Sequence, residues 1–161
     1  MTSAFTSDDS KTVSWLYDRE EIRQIMHAYS RAADAASQTE REEILGTVLA
    51  EDGAIEYTFG TWSGRDEVIA ALGRMVAPYT FTHHIISNDE IRIDGDTAEA
   101  TYLVTGAHGT SSGPVFWAGA RYTQLLVRTS EGWRLKRHIC VPGWKDENAH
   151  LPENPGDIPD A

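Results

Sequence analysis

Pro78 divides the chain into two stretches with different hydrophobic periods, and that switch limits the folds open to it. Before Pro78 the apolar residues recur every three or four positions, as on one face of a helix. Ile22, Ile25, Met26, Tyr29, Ala32, Ala33 and Ala36 predict a long amphipathic helix from Trp15 to about Ala36. Ile44, Leu45, Val48 and Leu49 predict a second over residues 40–50, and Val68, Ile69, Leu72 and Met75 a third over 65–77 that Pro78 stops. Between them, residues 54–59 read as a strand and 60–64 as a turn. After Pro78 come four long runs of β-formers, 81–94, 97–110, 115–128 and 133–141, joined by turn signals such as Asp94-Gly95-Asp96. Helices followed by a meander make an α+β fold, in which three N-terminal helices pack on a curved, mainly antiparallel sheet and leave a pocket at one end.

The expected boundaries are a flexible lead-in over 1–13, one domain over 14–142, and an acidic, proline-rich tail over 143–161, because Pro142 should end the last strand. A net charge of -11 disfavours nucleic acid and anionic membrane surfaces as partners. Cys140 is the only cysteine, so no disulfide forms within the chain. With no basic-then-apolar start and no run of about 18 apolar residues, the sequence predicts a soluble cytoplasmic protein.

Chemistry is sought among polar residues that alternate toward the sheet's covered face. In Thr82-His83-His84-Ile85-Ile86-Ser87-Asn88 the two imidazoles must point to opposite faces, and one of them inward. Along the next strand Ala98, Ala100, Tyr102, Val104, Gly106 and His108 share the apolar side, which puts His108 inside. The plain alternative for His108 is a packed core histidine. The 115–128 strand mixes apolar and polar residues on both faces, so parity leaves Arg121 and Arg128 open. Trp133, Leu135, Ile139 and Val141 share a face expected to be core. No His-x-His or Glu-x-x-His pair places two ligands on one face of one element, so no metal is expected. Glycine-rich phosphate loops and nucleophile elbows are absent too, and no cofactor is expected.

The order of elements, Tyr29 and Asp34 at the end of the first helix, Glu56-Tyr57, the Thr82–Asn88 run and the closing Glu131-Gly132-Trp133-Arg134 resemble the SnoaL-like branch of the nuclear transport factor two superfamily. That branch includes scytalone dehydratase, bile acid 7α-dehydratase, hexachlorocyclohexane dehydrochlorinase and polyketide cyclases. The resemblance implies a cone-shaped fold in which Asp34 orients His84, the general base. Tyr57 and His108 would match its substrate-polarising tyrosine and second histidine, and Tyr29 a further pocket tyrosine. Arg121 and Thr123 stand where that family has substrate contacts, and Trp62, Phe116 and Trp117 would offer apolar surface to a ring. His108 or a water would protonate the leaving group.

The function expected from this is a cofactor-independent lyase, a dehydratase acting on a small cyclic or polycyclic hydroxy-ketone. Ketosteroid-type isomerase, polyketide cyclase and non-catalytic binding or assembly subunit stay open as alternatives. The expected partners are an apolar ring substrate and, because a sheet face is left uncovered, a second or third copy of the chain.

Overall fold

The computed structural model describes residues 7–111, 113–147 and 149. Its elements run α1 (Ser7–Asp34), α2 (Gln38–Val48), β1 (Leu49–Tyr57), β2 (Gly60–Ser63), α3 (Arg65–Val76), β3 (Phe81–Asp94), β4 (Thr97–Gly109), β5 (Phe116–Thr129) and β6 (Gly132–Lys145). The strands form one sheet in the order β2-β1-β6-β5-β4-β3, antiparallel throughout except where β1 runs parallel to β6. Three helices on one face of a curved, open, mixed sheet make the expected α+β architecture.

Helix α1 buries Ile22, Ile25, Met26, Tyr29, Ala32 and Ala33 against the sheet, the face its periodicity marks. It begins at Ser7, so the lead-in expected over 1–13 is helical from that residue, and residues 1–6 lie outside the described part. Asp8 and Asp9 in the first turn favour this early start through the helix dipole, and no glycine or proline interrupts the run to Asp34. Two side chains fasten the helix across the sheet. Asp18 accepts both Arg128 guanidinium nitrogens at 2.7 and 2.8 Å and the Trp133 indole N–H at 3.1 Å, while Glu21 accepts the Trp133 backbone N–H at 2.9 Å. This fixes Arg128 as a structural anchor. Helix α2 starts where the Ser37 hydroxyl accepts the Glu40 N–H at 3.1 Å.

Three of the sheet's irregularities decide what faces inward. Asn88, at a φ of 55°, sits where the β3–β4 register shifts between Ser87 and Glu90. In β6, Leu135 pairs with Leu126 and Arg137 with Leu125, leaving Lys136 as an extra residue that reverses the alternation. Trp133 and Leu135 therefore point into the core, but so do His138 and Cys140, whereas Val141 is 53% exposed. The expectation that Ile139 and Val141 share the core face is overturned by this one residue. A second shift, between Gly119↔Trp144 and Ala120↔Pro142, carries β6 past Pro142 to Lys145. Proline is accommodated because β1 pairs with β6 only as far as Ile139, so Pro142 lies on a local edge. The tail expected from residue 143 thus begins inside a strand, and residues 148 and 150–161 lie outside the described part. The expected turn at 60–64 is instead the short strand β2, paired with β1.

Candidate active site

Asp34 is the last residue of α1, and its carboxylate is met by the start of β3. Oδ1 lies 2.6 Å from His84 Nδ1 and accepts the Thr82 hydroxyl at 2.9 Å; Oδ2 accepts the His84 backbone N–H at 2.8 Å. The Thr82 hydroxyl also reaches the Ala33 carbonyl at 3.0 Å, tying strand to helix end. Burial pushes the Asp34 carboxyl upward, but the His84 ring and backbone N–H, the charge on that ring and Thr82 together outweigh it and hold the acid below the usual range. Asp34 is thus an anion placed to accept from Nδ1–H, the arrangement in which a neutral His84 ring carries its lone pair on Nε2. His83, one residue earlier, is exposed on the other face.

His84 opens into a cavity of about 420 Å³ between the sheet and α3. Its walls are mostly apolar: Leu72, Met75 and Val76 from α3, Val104 from β4, and Ala118 and Ala120 from β5. Thr58, Tyr79 and Lys145 are among its polar residues. Tyr57 and Tyr122 present phenols, His108 stands next to His84 with ring centroids 5.7 Å apart, and Cys140 adds a buried thiol. Burial raises the pKa of both phenols, so each stays a hydrogen-bond donor at neutral pH. Burial likewise pushes the Cys140 thiol up to about 12, too high for a nucleophile.

His108 stacks on Phe116 at 4.8 Å, and its Nδ1 is buried with no hydrogen-bond partner among the described residues. Burial first, then the charge on His84, pushes it down to about 4. It is therefore a neutral imidazole near pH 7, which leaves a water as the other expected proton source for a leaving group. Gly106 keeps the two imidazoles accessible: a Cβ there would lie 2.9 Å from His108 Cε1 and 3.4 Å from His84 Nε2. Gly106→Ala is expected to cut turnover or ring-ligand affinity about tenfold or more while the protein stays folded, measured by ligand titration beside a melting curve; unchanged affinity and turnover would show that nothing binds between the rings.

Several expected contacts lie elsewhere. Tyr29 is buried behind Tyr57, its hydroxyl 3.1 Å from that of Tyr57, and is not on the cavity wall. Phe116 backs His108 from within the core. Trp62 packs on Phe59 at 6.1 Å outside the cavity. Trp117 is 40% exposed on the outer face of β5, which Arg121 and Thr123 share. Trp117, Arg121 and Thr123 are displaced because β5 turns its even-numbered residues inward, a choice that two equally mixed faces did not reveal.

Sequence reasoning passed over Tyr122, which that same choice brings in, and His138. His138 is fully buried, stacked on Tyr29 at 3.9 Å, with its Nδ1 3.4 Å from Gln124, which also donates to the Tyr102 hydroxyl at 2.9 Å. Burial, then the charge on His84, pushes His138 down to about 3. Only the extra residue at Lys136 could have signalled it. Among the described residues no three His, Cys, Asp or Glu side chains converge as ligands for a metal ion, and no helix is long and apolar enough to cross a membrane.

The family model for the SnoaL-like domain matches residues 15–138. An uncharacterised protein of Mycobacterium tuberculosis is 30% identical over 132 residues, which span 80% of this chain and 87% of the relative. Among solved structures, a protein of Novosphingobium aromaticivorans provisionally assigned as a scytalone dehydratase aligns with a TM-score of 0.75 at 22% identity, over 92% of this chain and 99% of that one. The hexachlorocyclohexane dehydrochlorinase LinA-type3 of Novosphingobium barchaimii aligns with a TM-score of 0.74 at 14% identity, over 88% and 98%. At these identities the likeness is one of fold.

Proposed function

The chain belongs to the SnoaL-like domain family, and from that premise we propose that it is a cofactor-independent lyase eliminating water from a cyclic or polycyclic hydroxy-ketone. The observation that carries this reading is the 2.6 Å contact between Asp34 and the His84 ring at the wall of an apolar cavity. A carboxylate on Nδ1 fixes the tautomer and favours the imidazolium that forms when Nε2 takes a proton. Nε2 removes the proton α to the carbonyl. Tyr57 and Tyr122 donate to the enolate oxygen as charge builds there, in a setting where preorganised donors count for more than in water. The enolate then re-forms its carbonyl and expels the β-hydroxyl, which leaves as water after taking the proton held on His84. One imidazole serves both steps. His108 contributes a neutral ring beside the path and no mobile proton.

The names of the two structural neighbours, a dehydratase and a dehydrochlorinase, support an elimination. A single imidazole carrying one proton would serve a ketosteroid-type isomerase or a polyketide cyclase equally well. Incubation with 3-hydroxy-1-tetralone, a bicyclic β-hydroxy-ketone, followed by mass spectrometry tests the reading. The expected product has lost one water. An unchanged mass with a moved double bond would assign an isomerase, and tight binding without turnover a ligand-binding subunit.

A further inference from the structure

Arg41 of α2 is 4% exposed, yet among the described residues its guanidinium pairs with no carboxylate. Instead Nε donates to the Ala32 carbonyl at 3.0 Å, Nη2 to the Ala35 carbonyl at 3.2 Å, and Nη1 to Gln38 Oε1 at 2.9 Å. Ala32 and Ala35 stand on either side of Asp34. The intervening Ala33 carbonyl is taken by Thr82, so side chains satisfy the carbonyls at the end of α1 where water would otherwise do so. Helix α3 closes over the arrangement: a Cβ on Gly73 would come within 2.3 Å of Gln38 Oε1 and 3.5 Å of Arg41 Nη1.

Burial works against the Arg41 charge more strongly than the neighbouring Glu40 carboxylate favours it, and a buried cation with no carboxylate in direct contact is costly, by several kcal/mol in general, even where a helix C-terminus favours positive charge. Three neutral acceptors do not offset that cost better than an apolar side chain would, so stability alone is a poor reason for arginine here. Geometry is a better one. The planar fork fixes two carbonyls relative to each other and so fixes the direction in which the Asp34 side chain leaves the helix. A 2.6 Å contact tolerates errors of only a few tenths of an ångström.

We propose that Arg41 is a positioning residue for the Asp34–His84 pair, clamping the end of α1 so that the carboxylate meets Nδ1. The proposal rests on reading that pair as the proton-transferring group.

The test needs no knowledge of the natural substrate. In proton NMR of the full chain, an Nδ1–H held this closely against a carboxylate resonates far downfield of ordinary ring N–H protons, and Asp34→Asn removes that signal. Arg41→Met is expected to abolish the resonance or move it upfield in a protein whose amide spectrum stays dispersed, and to slow deuterium exchange into 1-tetralone at least about tenfold. Arg41→Lys keeps the charge but not the fork, and is expected to shift the resonance without removing it; this variant serves if Arg41→Met does not fold. Folded variants with the wild-type resonance and exchange rate, and only a lower Tm, would reduce Arg41 to a helix cap and overturn the inference while the base assignment stands. A wild type without the resonance and without exchange would overturn the reading of the pair, and the inference with it.

Discussion

His84→Ala is expected to abolish deuterium uptake from heavy water at the α-carbon of 1-tetralone, a ketone that offers the acidic proton but no leaving group. In the proposed reading Nε2 of His84 is the base, beside a His108 pushed down to about 4 and phenols pushed upward. Asp34→Asn should slow the same exchange about 10²- to 10⁴-fold, because an amide neither fixes the tautomer nor stabilises the imidazolium. The carboxylate also receives the His84 backbone N–H and the Thr82 hydroxyl, of which the amide oxygen retains a share. The stability loss should therefore be modest, roughly 1–2 kcal/mol. Exchange is followed by mass spectrometry and stability by thermal melting. Wild-type exchange in either variant would remove the pair from the chemistry.

Acidification should destabilise the fold well above the range in which carboxylates titrate. His138 and His108 have folded-state pKa values of about 3 and about 4 against an ordinary 6.5. Lowered values for a base mean that the unfolded chain binds more protons than the native one between them, so stability falls as pH falls below 6.5. Each imidazole contributes a slope approaching 1.4 kcal/mol per pH unit, or roughly 2 kcal/mol apiece by pH 5. Asp34 has the opposite character: its depressed pKa supplies stability above the unfolded value near 3.8, lost only as pH drops through the lower folded one. The two effects occupy different windows. Denaturant midpoints at pH 7, 6 and 5 should show the decline, and His138→Phe should remove about half of it by abolishing one of the two titrations. A flat profile between pH 7 and 5 would mean that the buried rings are hydrated or relocate on protonation.

What could be read from the sequence was whatever a single period dictates. The apolar stripe of α1 follows from helical spacing, the bounds of β3 from its run of β-formers between Pro78 and the Asp94-Gly95-Asp96 turn, and the inward row from Ala98 to His108 from alternation. Which of the adjacent histidines faces Asp34 did not follow from parity, since Ile85 and Ile86 flank the question symmetrically; only the resemblance pointed to His84. Reading failed where one residue is added to a strand. Lys136 brought His138 and Cys140 inward and turned Val141 out, and Gly143 let β6 pass through Pro142. Failure also came on β5, where Arg121 and Thr123 gave way to Tyr122 because neither face carries a clean apolar set.

The supernumerary Lys136 gives the fold a means of changing its specificity by length. Removing it would rotate every later position of β6 by half a turn, sending Cys140 out to solvent and bringing its neighbours to the cavity lining, while α1 and β3, which hold the acid and the imidazole, are untouched. Homologues that differ by one residue at this point should accept ligands of different shape and polarity with the same proton-transferring pair, a divergence that identity scores computed column by column would not register.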